Sequence, residues 1–349
     1  MRGFSTPAMI RRFLRLLGSV RRRVSQLAYV DARVSENTHA TSVVAARLET
    51  VVREQRLLAR LLTIPPRQQW LGGPTARDEL SGNEGLSKSA VCRQDSFESP
   101  AFLEWLRRLG EAPRYHRKLW EFVFICQALS ERGVLRPGAR GLGFGVGTEP
   151  LSAYFASQGC RITATDLAPD AAAAAGWMRT NQYAASRETL RAPGICPNDV
   201  FDTNVEFRYC DMSAIPSDLI GFDFCWSACA LEHLGSLDAG LAFIERSVAT
   251  LAPGGVAVHT TELNLSSDRD TLTQGPTVLY RRADLEEFAR TMRTRNIEVE
   301  PFDFETGDGT LDRYVDFPPY LNEPHLRLAI EGYASTSIGI ICRKTRLGT

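Results

Sequence analysis

The stretch GLGFGVGTEPLSAYF, residues 141–155, decides how the rest of the chain is read. Glycines at 143, 145 and 147 end a short strand expected from Gly141 and precede a helical pattern from Pro150 to Gln158. A glycine-rich turn of this kind lets the backbone bend sharply and approach a ligand at a helix N-terminus. Nucleotide sites of several kinds use such turns, and so do tight strand-to-helix connections without a ligand. The spacing narrows the choice. A dinucleotide fingerprint requires G-x-G-x-x-G/A, and counting from Gly143 its sixth position is Thr148, so GxGxG describes the loop better.

Downstream, strand-like and helical segments alternate. Strands are expected at 141–144, 161–165, 205–209, 222–226, 255–261, 297–304 and 336–343, with helices at 150–158, 169–183, 237–251 and 283–294. This order predicts an α/β fold with a doubly wound, mostly parallel seven-stranded sheet, the last strand returning antiparallel. The second strand, RITATD, ends in Asp166, placed to accept hydrogen bonds from ribose hydroxyls or simply to cap the next helix. The third, VEFRYCDM, ends in Asp211-Met212: a carboxylate for the exocyclic amine of adenine beside a soft side chain able to lie on the ring.

Taken together, these strand ends resemble the class I, Rossmann-like S-adenosylmethionine-dependent methyltransferases over roughly residues 115–345. FDFCWSACALEHL and LAPGGVAVHT are similar to that family's fourth and fifth strands. The resemblance implies S-adenosylmethionine as methyl donor, contacted by Gly143, Phe144, Gly145, Gly147, Asp166, Leu167, Asp211, Met212 and Ser227. It implies that the segment after the fourth strand faces the transferred methyl, with His233 as candidate base and Glu232 as a weaker one. A Glu-His pair at this point can also only organise the loop. One departure stands out: the family often carries an acid two positions before the first glycine, and here that position is Gly141.

WSACALEHLGSLDAGL and HTTELNLSS look similar to bacterial methyltransferases associated with polysaccharide assembly, which implies a sugar hydroxyl of a glycan or glycan precursor as acceptor. A nitrogen acceptor, and a non-catalytic donor-binding scaffold, are the rival readings. Glu262 and Asn264 are expected on a loop at the carboxyl edge of the sheet, and His259 inside a strand as a packed histidine. The run 307–320 is expected as a loop that either reaches over the acceptor with Asp312, Arg313 and Tyr314 or is a surface excursion, and the insertion 184–204 as a lid.

Lys plus Arg and Asp plus Glu are equal at 41 each, so no overall field attracts nucleic acid. The first 30 residues are different: seven arginines and no acid make a basic arm, suited to peripheral contact with an anionic membrane. Residues 1–64 predict a long amphipathic helix that either pairs as a coiled coil, giving a homo-oligomer, or packs on its own domain. Residues 65–100 read as a linker and 101–349 as the catalytic domain. No apolar run suits a signal peptide or a membrane span, so the expected location is cytoplasmic, peripheral at the inner membrane face. Eight scattered cysteines lack zinc spacing, and no metal is expected.

Overall fold

The computed structural model describes residues 88–174, 182–321 and 323–345. The expected N-terminal helix or coiled coil, residues 1–64, lies outside them. Among the described residues eleven strands occur: β1 (Ser89–Ala90), β2 (Arg140–Phe144), β3 (Arg161–Asp166), β4 (Val205–Tyr209), β5 (Phe222–Ala228), β6 (Leu251–Asn264), β7 (Ile297–Val299), β8 (Phe302–Asp303), β9 (Val315–Asp316), β10 (Arg327–Ile330) and β11 (Tyr333–Lys344). Nine form one sheet in the order β4-β3-β2-β5-β6-β11-β10-β9, with β7 pairing on β11. From β4 to β6 every pairing is parallel, and β11 runs antiparallel to β6 as expected.

The strand order reverses between β2 and β5. In open α/β sheets this is where the connections diverge and leave a crevice at the strands' carboxyl ends. Side chains alternate across the sheet and feed two hydrophobic layers. Phe224, Trp226, Val256 and Val258 enter one, while Cys225, Ala257, Ile340 and Cys342 enter the other. The Arg117–Glu131 helix covers the first layer over β5, β6 and β11 with Leu119, Trp120, Val123, Phe124 and Cys126. It starts at His116, whose Nδ1 accepts the Lys118 amide at 3.1 Å. The Leu237–Ala249 helix, capped by Ser236 Oγ accepting the Ala239 amide at 3.1 Å, buries Phe243, Ile244 and Val248 in the second.

Several expectations need correction. The sheet has nine strands rather than seven, because the run expected as a plain loop contributes β9, and the chain after it contributes β10. The expected strand 297–304 breaks at Pro301, which has no N–H for a ladder. Its first part stays in the large sheet as β7, and its second, β8, pairs with β1 in a separate two-stranded sheet. The expected linker therefore ends earlier: Ser89 to Cys92 are buried and tied to β8 and β11. Glu262 and Asn264 lie within β6 rather than on a loop, because that strand continues to residue 264. His259 is packed, hydrogen-bonded to Ser227 and Ser247 and held near a pKa of about 3 by burial. Among the described residues no helix is long and apolar enough to cross a membrane.

Candidate active site

At the switch point lies a cavity of about 650 Å³, the size range of small-molecule sites. Gly145, Asp166, Leu167, Asp211, Met212 and His233 line it. The glycine loop forms its floor. Gly145 has φ +55°, and a Cβ there would sit 3.2 Å from Ala230 Cβ and 3.4 Å from Met212 Sδ, so a side chain would fill the cradle. Gly147 has φ +51°, and its Cβ would overlap the Gln182 carbonyl.

Asp166 organises this floor. Its Oδ2 accepts the Gly147 amide at 3.0 Å and the Ala184 amide at 3.2 Å, and its Oδ1 accepts the Leu167 amide at 2.8 Å. Burial pushes its carboxyl above the usual carboxylate range, with those amides opposing. Asp166 thus lines the cavity, and the three amides it holds are not those of the following Pro169–Ala174 helix that it was alternatively expected to cap. Asp211 Oδ1 accepts the Ser213 amide at 2.7 Å, and Met212 lies beside it, mostly buried.

Other predicted site residues do not reach the cavity. Gly143 lies against Trp226 and Val146, where any Cβ would overlap the indole. Phe144 is wholly buried and packs edge-on to Phe243. Both face the hydrophobic layers because they precede the turn. Gly147 acts through the Asp166 bond behind the lining. Ser227 is still inside β5, fully buried and spent on His259 Nδ1 at 2.8 Å, which corrects its expected donor contact. Glu232 is buried behind the cavity wall, accepting from Thr261 Oγ1 at 3.1 Å.

The sequence reading missed Lys118, Phe122, Glu149 and Tyr183, all lining the cavity, whereas Cys229, also in the lining, belongs to the segment after the fourth strand that was expected there. Lys118 Nζ donates to the Ala228 carbonyl at 3.0 Å and pairs with Glu121 at 3.0 Å and Glu149 at 3.6 Å. No local signal announces it, since it lies on a helix far upstream of the loop. Glu149 was visible, two residues beyond Gly147, but reads as an ordinary helix-start acid. Cys229 has φ +47° and caps β5, its amide bonded to Thr260. Its thiol donates to Glu121 Oε1 at 3.1 Å, and burial pushes its pKa well up, so it stays a thiol.

Behind Cys229 lies a buried polar network. Arg117 pairs with Glu262, Ser335 Oγ donates to Glu262, and Ser337 Oγ donates to Glu121 at 2.6 Å. Cys229, Glu232 and Glu262 place donor atoms within 4.8 Å of one another. Arg117 and Glu121 already engage two of these groups.

A cradle that only glycine leaves open, two acids at consecutive strand ends and a cavity of this size fit S-adenosylmethionine. Residues 142–259 match a family profile described as a methyltransferase domain. The domain is an S-adenosylmethionine-dependent methyltransferase. No curated protein matches the chain by sequence. Among solved structures, the methyltransferase is similar to an amino pentose methyltransferase from Micromonospora echinaspora (15% identity, 71% of this chain and 98% of that chain, TM-score 0.38). It is similar also to 1,6-didemethyltoxoflavin-N1-methyltransferase from Burkholderia thailandensis (20% identity, 72% and 80%, TM-score 0.34). A third is the magnesium protoporphyrin IX methyltransferase from Synechocystis PCC 6803 (12% identity, 71% and 97%, TM-score 0.35).

When bound, the donor supplies an already activated methyl on a sulfonium. What the protein must add is alignment, exclusion of water and, for a hydroxyl acceptor, a place for the proton. Gly145, Asp166, Asp211 and Met212 would hold the nucleoside half. Ala228, Cys229 and Ala230, at the end of β5, face the same cavity from the other side of the switch point.

Proposed function

We propose that this methyltransferase transfers its methyl group to an oxygen nucleophile, a sugar hydroxyl of a glycan or glycan precursor, with His233 as the base. The observation that carries the base is a hydrogen bond. His233 lines the cavity, and its Nδ1 lies 2.8 Å from the Pro276 carbonyl, which can only accept. Nδ1 therefore bears the proton, and in the neutral ring the lone pair belongs to Nε2. Nε2 lies 3.9 Å from Glu232 Oε1. Burial, opposed by His233 and reinforced by Glu262, raises the Glu232 carboxyl above its ordinary value. The Pro276 carbonyl is thus read as the group that orients His233, and Glu232, buried behind the cavity wall, is not read as a second base.

A base is what a hydroxyl acceptor needs and a neutral amine does not, which supports oxygen over nitrogen. The choice of a sugar rests on the similarity of residues 226–241 and 259–267 to methyltransferases of polysaccharide assembly. The test is formation of S-adenosylhomocysteine with panels of nucleotide sugars, free glycans and amines. His233→Ala should cut turnover on the accepted hydroxyl by about 100-fold or more while donor affinity stays within about twofold. An unchanged rate would remove His233 as base, and turnover confined to amines would remove the sugar.

A further inference from the structure

The family's usual acid before the glycine loop is absent here, and the structure shows why it could not stand there. Gly141 lies in β2 between β3 and β5, and a Cβ on it would overlap the Phe224 ring and lie 2.9 Å from Ile162 Cδ1. A charged side chain at 141 would enter the hydrophobic layer. Yet the methionine end of the donor carries an ammonium, and an ammonium held away from water needs hydrogen-bond acceptors, of which a carboxylate is the strongest.

One carboxylate in the cavity wall has unused capacity. Glu149 lines the cavity, its side chain is 10% exposed, and its Oε2 is buried without a hydrogen-bond partner. Its other oxygen lies 3.6 Å from Lys118 Nζ, which also holds the Ala228 carbonyl and Glu121. Lys118 thus fixes Glu149 from one side only. In the lining, Lys118, Glu149 and Ala228 belong to the part of the wall that the adenine-side residues Asp211 and Met212 do not supply.

We propose that Glu149 receives the α-ammonium of the donor's methionine moiety, doing from the helix side of the loop what an acid at position 141 does elsewhere. The proposal rests on the donor assignment and deepens it. The charged groups facing Glu149 are Lys118, Glu121 and Asp166. Burial, opposed by Lys118 and reinforced by the two acids, pushes the Glu149 carboxyl up to about 8. At pH 7 it is mostly protonated, and an arriving ammonium would ionise it and displace that proton.

The experiment uses the full chain and two commercially simple probes: S-adenosylhomocysteine, and 5′-methylthioadenosine, which has the same adenosine and thioether but no amino-acid end. Calorimetry at pH 7 in buffers of different ionisation enthalpy should show proton release on binding S-adenosylhomocysteine but not 5′-methylthioadenosine. Glu149→Gln mimics the protonated carboxyl and should leave the fold intact. It should weaken S-adenosylhomocysteine by about 10- to 100-fold, abolish the proton release and leave 5′-methylthioadenosine within about twofold. Equal loss of both probes would make Glu149 a structural residue and overturn the proposal, as would unchanged S-adenosylhomocysteine binding with no proton release in the unmodified protein. If the unmodified protein bound neither probe, the donor assignment itself would fall, and the proposal with it.

Discussion

The two walls of the cavity are built differently. On the nucleoside side, Gly145, Asp166, Asp211 and Met212 follow directly from the ends of β2, β3 and β4, and their polar atoms bind backbone amides nearby in the chain or on the adjoining loop. On the other side, Glu121 meets Ser337, 216 residues away, Glu262 meets Arg117 and Ser335, and Lys118 bridges Glu121, Glu149 and the Ala228 carbonyl. The first wall is a property of successive strand ends. The second is a charge network assembled across the sheet, where each group depends on partners the local sequence does not specify.

The difference can be broken from either side. The largest effect is expected in the network: Glu262→Ala would strand Arg117 as an unpaired buried cation and lower stability by about 3–5 kcal/mol, read by chemical denaturation. A loss below about 1 kcal/mol would mean that water replaces the pair and that the wall is not a closed network. Next, Asp166→Ala leaves the amides of Gly147, Leu167 and Ala184 without their acceptor. It should cost about 2–3 kcal/mol of stability and weaken both S-adenosylhomocysteine and 5′-methylthioadenosine. Loss of affinity without loss of stability would show that Asp166 serves the ligand alone. The smallest effect is expected at Ser227→Ala, which removes one buried bond to His259: about 1 kcal/mol of stability, with donor affinity within about twofold. A large drop in donor affinity there would return Ser227 to the site.

The same contrast explains what was legible. Asp166 and Asp211-Met212 could be placed because a strand that ends at a known register puts its last residue at the sheet edge, whatever the rest of the chain does. Phe144 and Ser227 were assigned to the donor by adjacency in sequence, yet a shift of one or two residues along a strand decides between core and edge. Lys118 carried no signal because its helix reaches the site only through packing over β5, β6 and β11. Two further strands, β9 and β10, were hidden in a polar run whose pairing depends on β11 rather than on its own alternation.

By itself the sequence determined a glycine loop at a strand-to-helix turn and two acids at the following strand ends, because backbone conformation and strand termination are local. The tertiary structure decided that Gly141 is barred to an acid by Phe224, that Glu149 lines the cavity with an unpartnered oxygen, and that His233 Nδ1 lies against the Pro276 carbonyl. Those are questions of which charges and rings meet across the sheet, and burial fixes their chemistry only once the partners are in place.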